Sequence, residues 1–383
     1  MKKNLRVAIV HDYLITFGGA ERVLIALHEI WPEAPVFVAI CNPKMMGGAW
    51  KNFADWKIKT SWFQKLPWSG KLISPLRFLL PLIWESFDFS QYDLVISSSA
   101  WAMAKGVLTK PDSLHLCYCH TPPRFLYHYP EARKFTQHKL IKIYAALVNH
   151  FLRIYDFVSS QRVDFFVANS KEVALRIKKF YRREAKVVNP PINLPAKLSF
   201  KKEDYFLFVG RLVSYKHPEL AIRACGRLGL SLKIAGEGPL KTEVKKIAKK
   251  YPKIEYLARV SDKKLHQLYE NCRAVIFPVE DEDFGIVPLE AAGFGKPVIA
   301  LYSGGAKETV IENKTGVFFR KPTVSSLAKA LEKFQKIEGQ FDPKIIRKEA
   351  EKRSSANFKK SILEVFDSHC PSSSPNNKSF SNA

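Results

Sequence analysis

Acidic residues are scarce: 36 Asp and Glu stand against 61 Lys and Arg, a formal net charge of +25 over 383 residues. That excess favours anionic partners, whether nucleic acid, a membrane face or phosphorylated small molecules, and does not choose among them. Many of the lysines fall in solvated helical patterns such as KTEVKKIAKKYPK. The cysteines, Cys41, Cys117, Cys119, Cys225, Cys272 and Cys370, lack disulfide-framework spacing, so reduced thiols are expected. No long apolar run exists. The longest region, Leu72–Trp84, is interrupted by Arg77, Pro75 and Pro81 and is too short to span a bilayer. The N-terminal MKKNLRVAIVHD reads as a first strand rather than a signal peptide, so a cytoplasmic location is expected. A G-x-G-x-x-G fingerprint is missing, which leaves a dinucleotide site with little support. Asp283–Gly285 spells DFG, but no H-R-D catalytic loop accompanies it, which excludes a protein kinase. His115, Cys117, Cys119 and His120 have no second Cys/His pair at finger-like spacing, so no metal is expected.

What is present is alternation. Short apolar runs (RVAIV, VFVAI, DLVISS, LHLCYC, DFFVAN, AKVV) alternate with helical patterns in the first half. After the proline-rich stretch Asn189–Asp204, the alternation restarts with YFLFVG, SLKIAG, IEYLA, AVIFPV, PVIAL and GVFF. This is the signature of α/β domains with parallel sheets. The expected organisation is an N-terminal Rossmann-like domain over 1–195 and a C-terminal one over 200–350, with a disordered Ser/Asn/Pro-rich tail over 370–383. Two doubly wound domains side by side face a cleft, and open α/β sheets bind ligands at the carboxyl ends of their strands.

The candidate residues lie at such strand ends. Gly18 and Gly19 lead from the first strand into a helix, where backbone can approach a ligand and a helix N-terminus favours an anion. His120 follows the strand LHLCYC in a loop stiffened by Pro122 and Pro123, placed to bond or exchange a proton. Arg211 and Lys216 follow the strand FLFVG; a guanidinium fork and an ammonium there suit a diphosphate. Beyond AVIFPV comes EDEDFGIVPLEAAGFG. Pro288 fits the first position of a helix, which would put Glu290 in the first turn and Glu282 in the preceding loop. The two carboxylates can then touch opposite ends of one ligand, with backbone N–H groups of Phe284, Gly285, Ile286 and Val287 toward its phosphates. Glu280, Asp281 and Asp283 read as solvated loop charges. Gly304-Gly305 repeats the strand–glycine–helix theme, with Glu308 able to cap or hydrogen-bond there.

Taken in order, GGAERV, CHTPPR, VGRLVSYK, AGEGPL, FPVEDEDFGIVPLEAAGFGKPVIA and SGGAKETV resemble a family 4 (GT4) retaining glycosyltransferase of the bacterial mannosyltransferase-like group. The resemblance covers Leu5 to about Phe366 and implies the GT-B fold: two Rossmann-like domains, with a helix near 355–368 packing back on the first. It implies that Arg211 and Lys216 bind the donor diphosphate, that Glu282 contacts the transferred sugar and Glu290 the ribose. Arg259 and Val260 would flank the base, His120 would line the reaction centre, and Gly18-Gly19 would sit beside the phosphates. No cofactor and no metal are implied beyond a GDP- or UDP-linked nucleotide-sugar donor. The implied acceptor is lipid-linked or an oligosaccharide, in surface polysaccharide synthesis. Asp283 departs from the pattern, which has a small residue there, and its side chain is expected to point away from the diphosphate.

Trp62, Lys65, Trp68, Lys71, Arg77 and Trp84 interleave rings and cations, fitting either an anionic membrane interface or a core helix with a basic rim. Two other functions compete: a sugar-nucleotide epimerase or hydrolase on the same scaffold, and a non-catalytic basic protein binding nucleic acid. The latter gives no use to Arg211, Lys216, Glu282 and Glu290, so no nucleic-acid partner is expected.

Overall fold

The computed structural model describes residues 5–130, 139–196, 198, 200 and 202–369. The anticipated tail over 370–383 lies outside the described residues. Two parallel sheets organise the chain. The first has the order β3-β2-β1-β4-β5-β6-β7, from β1 (Val7–His11), β2 (Val36–Val38), β3 (Ile58–Thr60), β4 (Leu94–Ser99), β5 (Leu114–Cys119), β6 (Phe165–Ala168) and β7 (Ala185–Val187). The second runs β10-β9-β8-β11-β12-β13, from β8 (Phe206–Val209), β9 (Leu232–Ala235), β10 (Ile254–Ala258), β11 (Val275–Phe277), β12 (Val298–Leu301) and β13 (Gly316–Phe319). The central strands are apolar on both faces because helices cover both sides, as parallel sheets require. Every strand expected from the sequence is present. β3 was not foreseen: three residues at a sheet edge, Lys59 and Thr60 exposed, carry no apolar pattern.

Strand order reverses between β1 and β4 in the first sheet and between β8 and β11 in the second. These are the switch points where α/β sheets open a crevice for ligand. The loops leaving β8 and β11 carry Arg211, Lys216 and Glu282, and the ends of β1 and β4 carry His11 and Ser98.

The helix Ser355–His369 lies against the first sheet. Its Phe358, Ile362, Val365 and Phe366 form an i, i+4, i+7, i+8 stripe buried in that sheet's core, edge-on to Tyr118 and Trp31. Each such side chain contributes roughly 1.5–3 kcal/mol by leaving water. Lys359 pairs with Glu29 at 2.6 Å on the rim. The proline-rich connection is fastened rather than loose. Ile192 N–H donates to the Arg353 carbonyl at 3.1 Å, and Arg347 Nη2 donates to the Pro195 carbonyl at 2.8 Å.

The segment Trp62–Trp84 divides between the two readings open for it. Ile73, Leu80, Ile83 and Trp84 are buried, and Arg77 turns to Asn149 Oδ1 at 3.1 Å, while Trp68, Phe78 and Leu82 face solvent. Beside it runs the long helix Lys139–Gln161, tied on by the Tyr144 hydroxyl to the Pro75 carbonyl.

Candidate active site

The two glycines after β12 shape the loop that leaves β11. A Cβ on Gly304 would lie 2.4 Å from the Glu282 carbonyl oxygen, and one on Gly305 2.4 Å from Phe284 Cα. Only a chain without side chains here lets the Glu282–Phe284 loop lie this close, and Gly304 also has φ +50. Gly305 N–H then donates to the Glu282 carbonyl at 2.7 Å. The loop so held presents the Glu282 carboxylate 3.7 Å from Lys216 Nζ, with Oε2 buried and without a hydrogen bond. Burial disfavours the Lys216 ammonium, but Glu282, Tyr215 and Asp283 outweigh it and hold its pKa above the ordinary lysine range. Arg211 is exposed at the mouth of the same loop.

The helix after this loop is Ile286–Gly293, entered through Gly285 at φ 93. It starts two residues before the position expected, so Pro288 is its third residue rather than its first. A proline is tolerated there for the same reason, since the first-turn N–H groups have no intrahelical acceptor. Glu290 accordingly lies past the first turn and caps nothing. It accepts a hydrogen bond from Tyr269 Oη at 2.8 Å and forms an ion pair with Arg22, on the first helix Gly19–Ile30. Phe284 is buried in the second sheet's core, so only its backbone can meet a ligand. Ile286 and Val287 are half-buried, as is Val260, while Arg259 is exposed. Gly18 N–H is occupied by Glu21 Oε2 at 2.6 Å, and a Cβ on Gly19 would meet Ile286 Cδ1 at 2.5 Å. The starts of the two helices therefore face each other across the cleft.

The reading as a solvated loop charge fits Glu280, whose side chain is 43% exposed, and does not hold for Asp283. Glu280 lies 3.3 Å from His217 Nε2, and Asp281 sits at φ 51 with its N–H on Ser303 Oγ at 2.9 Å. Asp283 is an inter-domain anchor. Its Oδ1 accepts from Arg124 Nη1 at 3.0 Å and pairs with Arg176, and its carbonyl accepts from Ser170 Oγ at 2.5 Å. Its side chain pairs with cations of the first domain and still helps raise the Lys216 pKa. Glu308 caps the helix Lys171–Tyr181 from the opposite domain, accepting from the N–H groups of Lys171 and Glu172, each at 3.0 Å. Arg22, Tyr269, Arg124 and Arg176 were missed because no spacing in the sequence joins residues so far apart. Asp283 carried a signal, its departure from a small residue.

His120 directly follows β5, 9% exposed, its Nε2 2.8 Å from Ser98 Oγ. Burial, with the neighbouring His11, pushes its pKa down to about 3, so the ring is neutral near pH 7. His115 faces the opposite way, into the sheet, with Nε2 2.8 Å from Ser97 Oγ. Among the described residues no group of three or more His, Cys, Asp or Glu gathers as metal ligands.

Two Rossmann-like sheets whose switch points face one cleft, with paired cations and carboxylates at the strand ends, define a GT-B glycosyltransferase. The comparisons agree. A family model described as Glycosyltransferase Family 4 matches residues 17–194, and one described as Glycosyl transferases group 1 matches residues 192–353. An alpha-1,3/1,6-mannosyltransferase of Dictyostelium discoideum is 27% identical over 385 residues, 87% of this chain and 90% of its own length. An O-antigen chain mannosyltransferase C of Escherichia coli is 28% identical, over 46% of this chain and half of that protein. Anabaena HepE in complex with UDP and glucose superposes with a TM-score of 0.68 at 17% identity, covering 95% of this chain and all of that one. The chain belongs to the family 4 glycosyltransferases. The epimerase, hydrolase and nucleic-acid readings are not favoured.

Proposed function

We propose that the protein is a retaining hexosyltransferase that moves mannose from a GDP-linked donor to a lipid-linked or oligosaccharide acceptor without a metal. The observation that carries this reading is the buried, unbonded Oε2 of Glu282 beside Lys216. A carboxylate oxygen stripped of water needs a donor, and a hexose supplies hydroxyls. Lys216 and Arg211 then meet the diphosphate, with the first-turn N–H groups of the helix Ile286–Gly293. As the sugar–phosphate bond breaks, positive charge grows on the sugar and negative charge on the leaving diphosphate, which these groups stabilise. The acceptor oxygen bonds the anomeric carbon on the face the phosphate leaves, and its proton passes to the leaving phosphate oxygen. Mannose as the sugar is supported by the two mannosyltransferase relatives. Glu290 would receive the ribose, and Arg259 and Val260 the base.

The reading includes contact with an anionic membrane surface. The helix Lys139–Gln161 exposes Leu140, Ile143, Leu147, Phe151, Ile154 and Val158 along one stripe, with Trp68, Phe78 and Leu82 nearby. Lys142 and Lys71 are exposed in the same elements. An apolar stripe on a chain of net charge +25 suits an anionic lipid interface better than a second copy, which would bring like charge against like. No described helix is long and apolar enough to cross a membrane.

A thermal-shift series with GDP- and UDP-sugars tests the donor. GDP-mannose is expected to raise the melting temperature most, by ligand linkage. A response to UDP-sugars alone would refute the GDP assignment, and no response to any would refute the donor site.

A further inference from the structure

Four buried side chains form a relay on the first domain's cleft wall, three of them joined by hydrogen bonds and the fourth, Glu21, in electrostatic contact with the end of the line. Glu21 Oε1 lies 3.7 Å from His11 Nε2, His11 Nδ1 3.0 Å from Ser98 Oγ, and Ser98 Oγ 2.8 Å from His120 Nε2. None is more than 9% exposed. The register creates it. β1 and β4 pair His11 with Ser98, β4 and β5 pair Ser98 with Tyr118, and His120 comes two residues after Tyr118, where the chain turns into the cleft. The relay crosses the sheet at its switch point, from the start of the first helix to the candidate reaction centre.

A serine hydroxyl has one hydrogen, and a neutral imidazole one N–H. Ser98, set between two ring nitrogens, must donate to one and accept from the other, so the neutral relay has two polarities. One places His11 Nε2–H toward the Glu21 carboxylate. Ser98 then donates to His11 Nδ1 and accepts from His120 Nε2–H, which leaves His120 Nδ1 as a bare acceptor. The other aims a nitrogen lone pair at the carboxylate. Glu21 cannot turn away, because its Oε2 is held by Gly18 N–H at 2.6 Å.

We propose that Glu21, His11 and Ser98 are positioning residues that fix the His120 tautomer as Nε2–H, so that Nδ1 accepts a hydrogen bond from a hydroxyl of the bound sugar or acceptor. The hydroxyl's identity rests on the function proposed above; the tautomer does not. His120 then acts as a neutral acceptor that holds a substrate hydroxyl, and not as an acid.

The test is the His120 tautomer in the full-length, 15N-histidine-labelled protein at pH 8, above the ordinary histidine pKa of ~6.5. Long-range 1H–15N correlation reads it, and the His120→Asn variant assigns the signal. Nε2–H is expected. Glu21→Gln supplies the sharper arm. Gly18 N–H demands the amide oxygen, which forces the amide NH2 toward His11 Nε2 and reverses every donor in the chain. His120 should switch to Nδ1–H, and kcat should fall roughly tenfold with donor KM little changed. An Nδ1–H tautomer in the unmodified protein, or an unchanged tautomer in Glu21→Gln, would overturn the proposal. If Glu21→Gln does not fold, Ser98→Ala carries the test: it removes the Nε2 partner, and unaltered tautomer and kcat would again overturn it. Failure of the glycosyl-transfer reading would show as absent donor turnover with the tautomer intact.

Discussion

Arg22 and Glu290 form an ion pair between the first helix of one domain and the donor-side helix of the other, with Tyr269 donating to the second carboxylate oxygen. The carboxylate proposed for the ribose is therefore pre-oriented from both sides of the cleft. Glu290→Ala should weaken donor binding about 10- to 100-fold, the value of a hydrogen bond to a charged group. Arg22→Ala alone should weaken it severalfold, and should add nothing on top of Glu290→Ala. A calorimetric double-mutant cycle checks this; full additivity would mean that Arg22 does not act through Glu290.

Asp283 joins Arg124 and Arg176 across the domain boundary while its neighbour Glu282 faces the cleft. Asp283→Ala leaves Arg176, 2% exposed, without its inter-domain carboxylate, with only the 3.3 Å hydrogen bond to the Asp281 carbonyl remaining across the boundary. Asp283 is itself partly exposed, so a loss of about 2–3 kcal/mol is expected, a melting-temperature drop of order 5 °C. Donor KM should rise with it, because the anchor sets the Glu282 loop. Unchanged stability and KM would return Asp283 to the role of a loop charge.

The sequence carried what is local. Twelve strands were legible because buried parallel strands are continuous apolar runs, and the edge strand Ile58–Thr60 was not, because an exposed edge needs no such run. Arg211, Lys216 and Glu282 stood out because each follows a strand, and Glu290 because it lies in the helix that comes after one. The contacts that Glu290 and Asp283 make come from Arg22, 268 residues from Glu290, and from Arg124 and Arg176, at least 107 residues from Asp283. Such pairings exist only once the domains face each other. The relay through Ser98 depends on strand register, which an unbroken apolar run does not announce.

Glu282 has an unbonded buried oxygen waiting for a donor, and Lys216 is the nearest cation. Glu282→Ala should abolish transfer while the fold stays intact, with at most a small drop in melting temperature because Lys216 loses its nearest carboxylate and no hydrogen bond to that oxygen is lost. Lys216→Ala should raise the donor dissociation constant. Near-normal turnover in the first variant, or an unchanged constant in the second, would remove the assigned role.

Membrane contact, if it uses the long helix, resides in its solvent-facing stripe rather than in Arg77 or Trp84, which point inward. Leu147→Glu with Phe151→Glu places two charges on that stripe without touching the core. Co-sedimentation with vesicles containing anionic phospholipid should fall several-fold, and raised salt should weaken binding of the unaltered protein. An unchanged pelleting fraction in the double variant would exclude this face.

Acid should destabilise the protein from an unusually high pH. Burial holds His115 and His120 neutral in the folded state, each with a pKa of about 3, against 6.5 for an ordinary histidine. Above 6.5 neither state binds the protons, and their contribution to stability is complete. As pH falls below it the unfolded chain gains two protons that the native chain refuses, and ~1.4 kcal/mol is lost per histidine per pH unit. His217 acts with the opposite sign, because its hydrogen bond to Glu219 raises its pKa despite partial burial, with help from Glu280. Two deeply buried rings against one half-buried ring leave a net loss in acid. The urea midpoint should therefore drop steeply between pH 6.5 and 4.5, and His115→Asn should flatten that slope. A midpoint constant over this range would mean that the buried rings take up protons in the folded state as readily as in the unfolded chain.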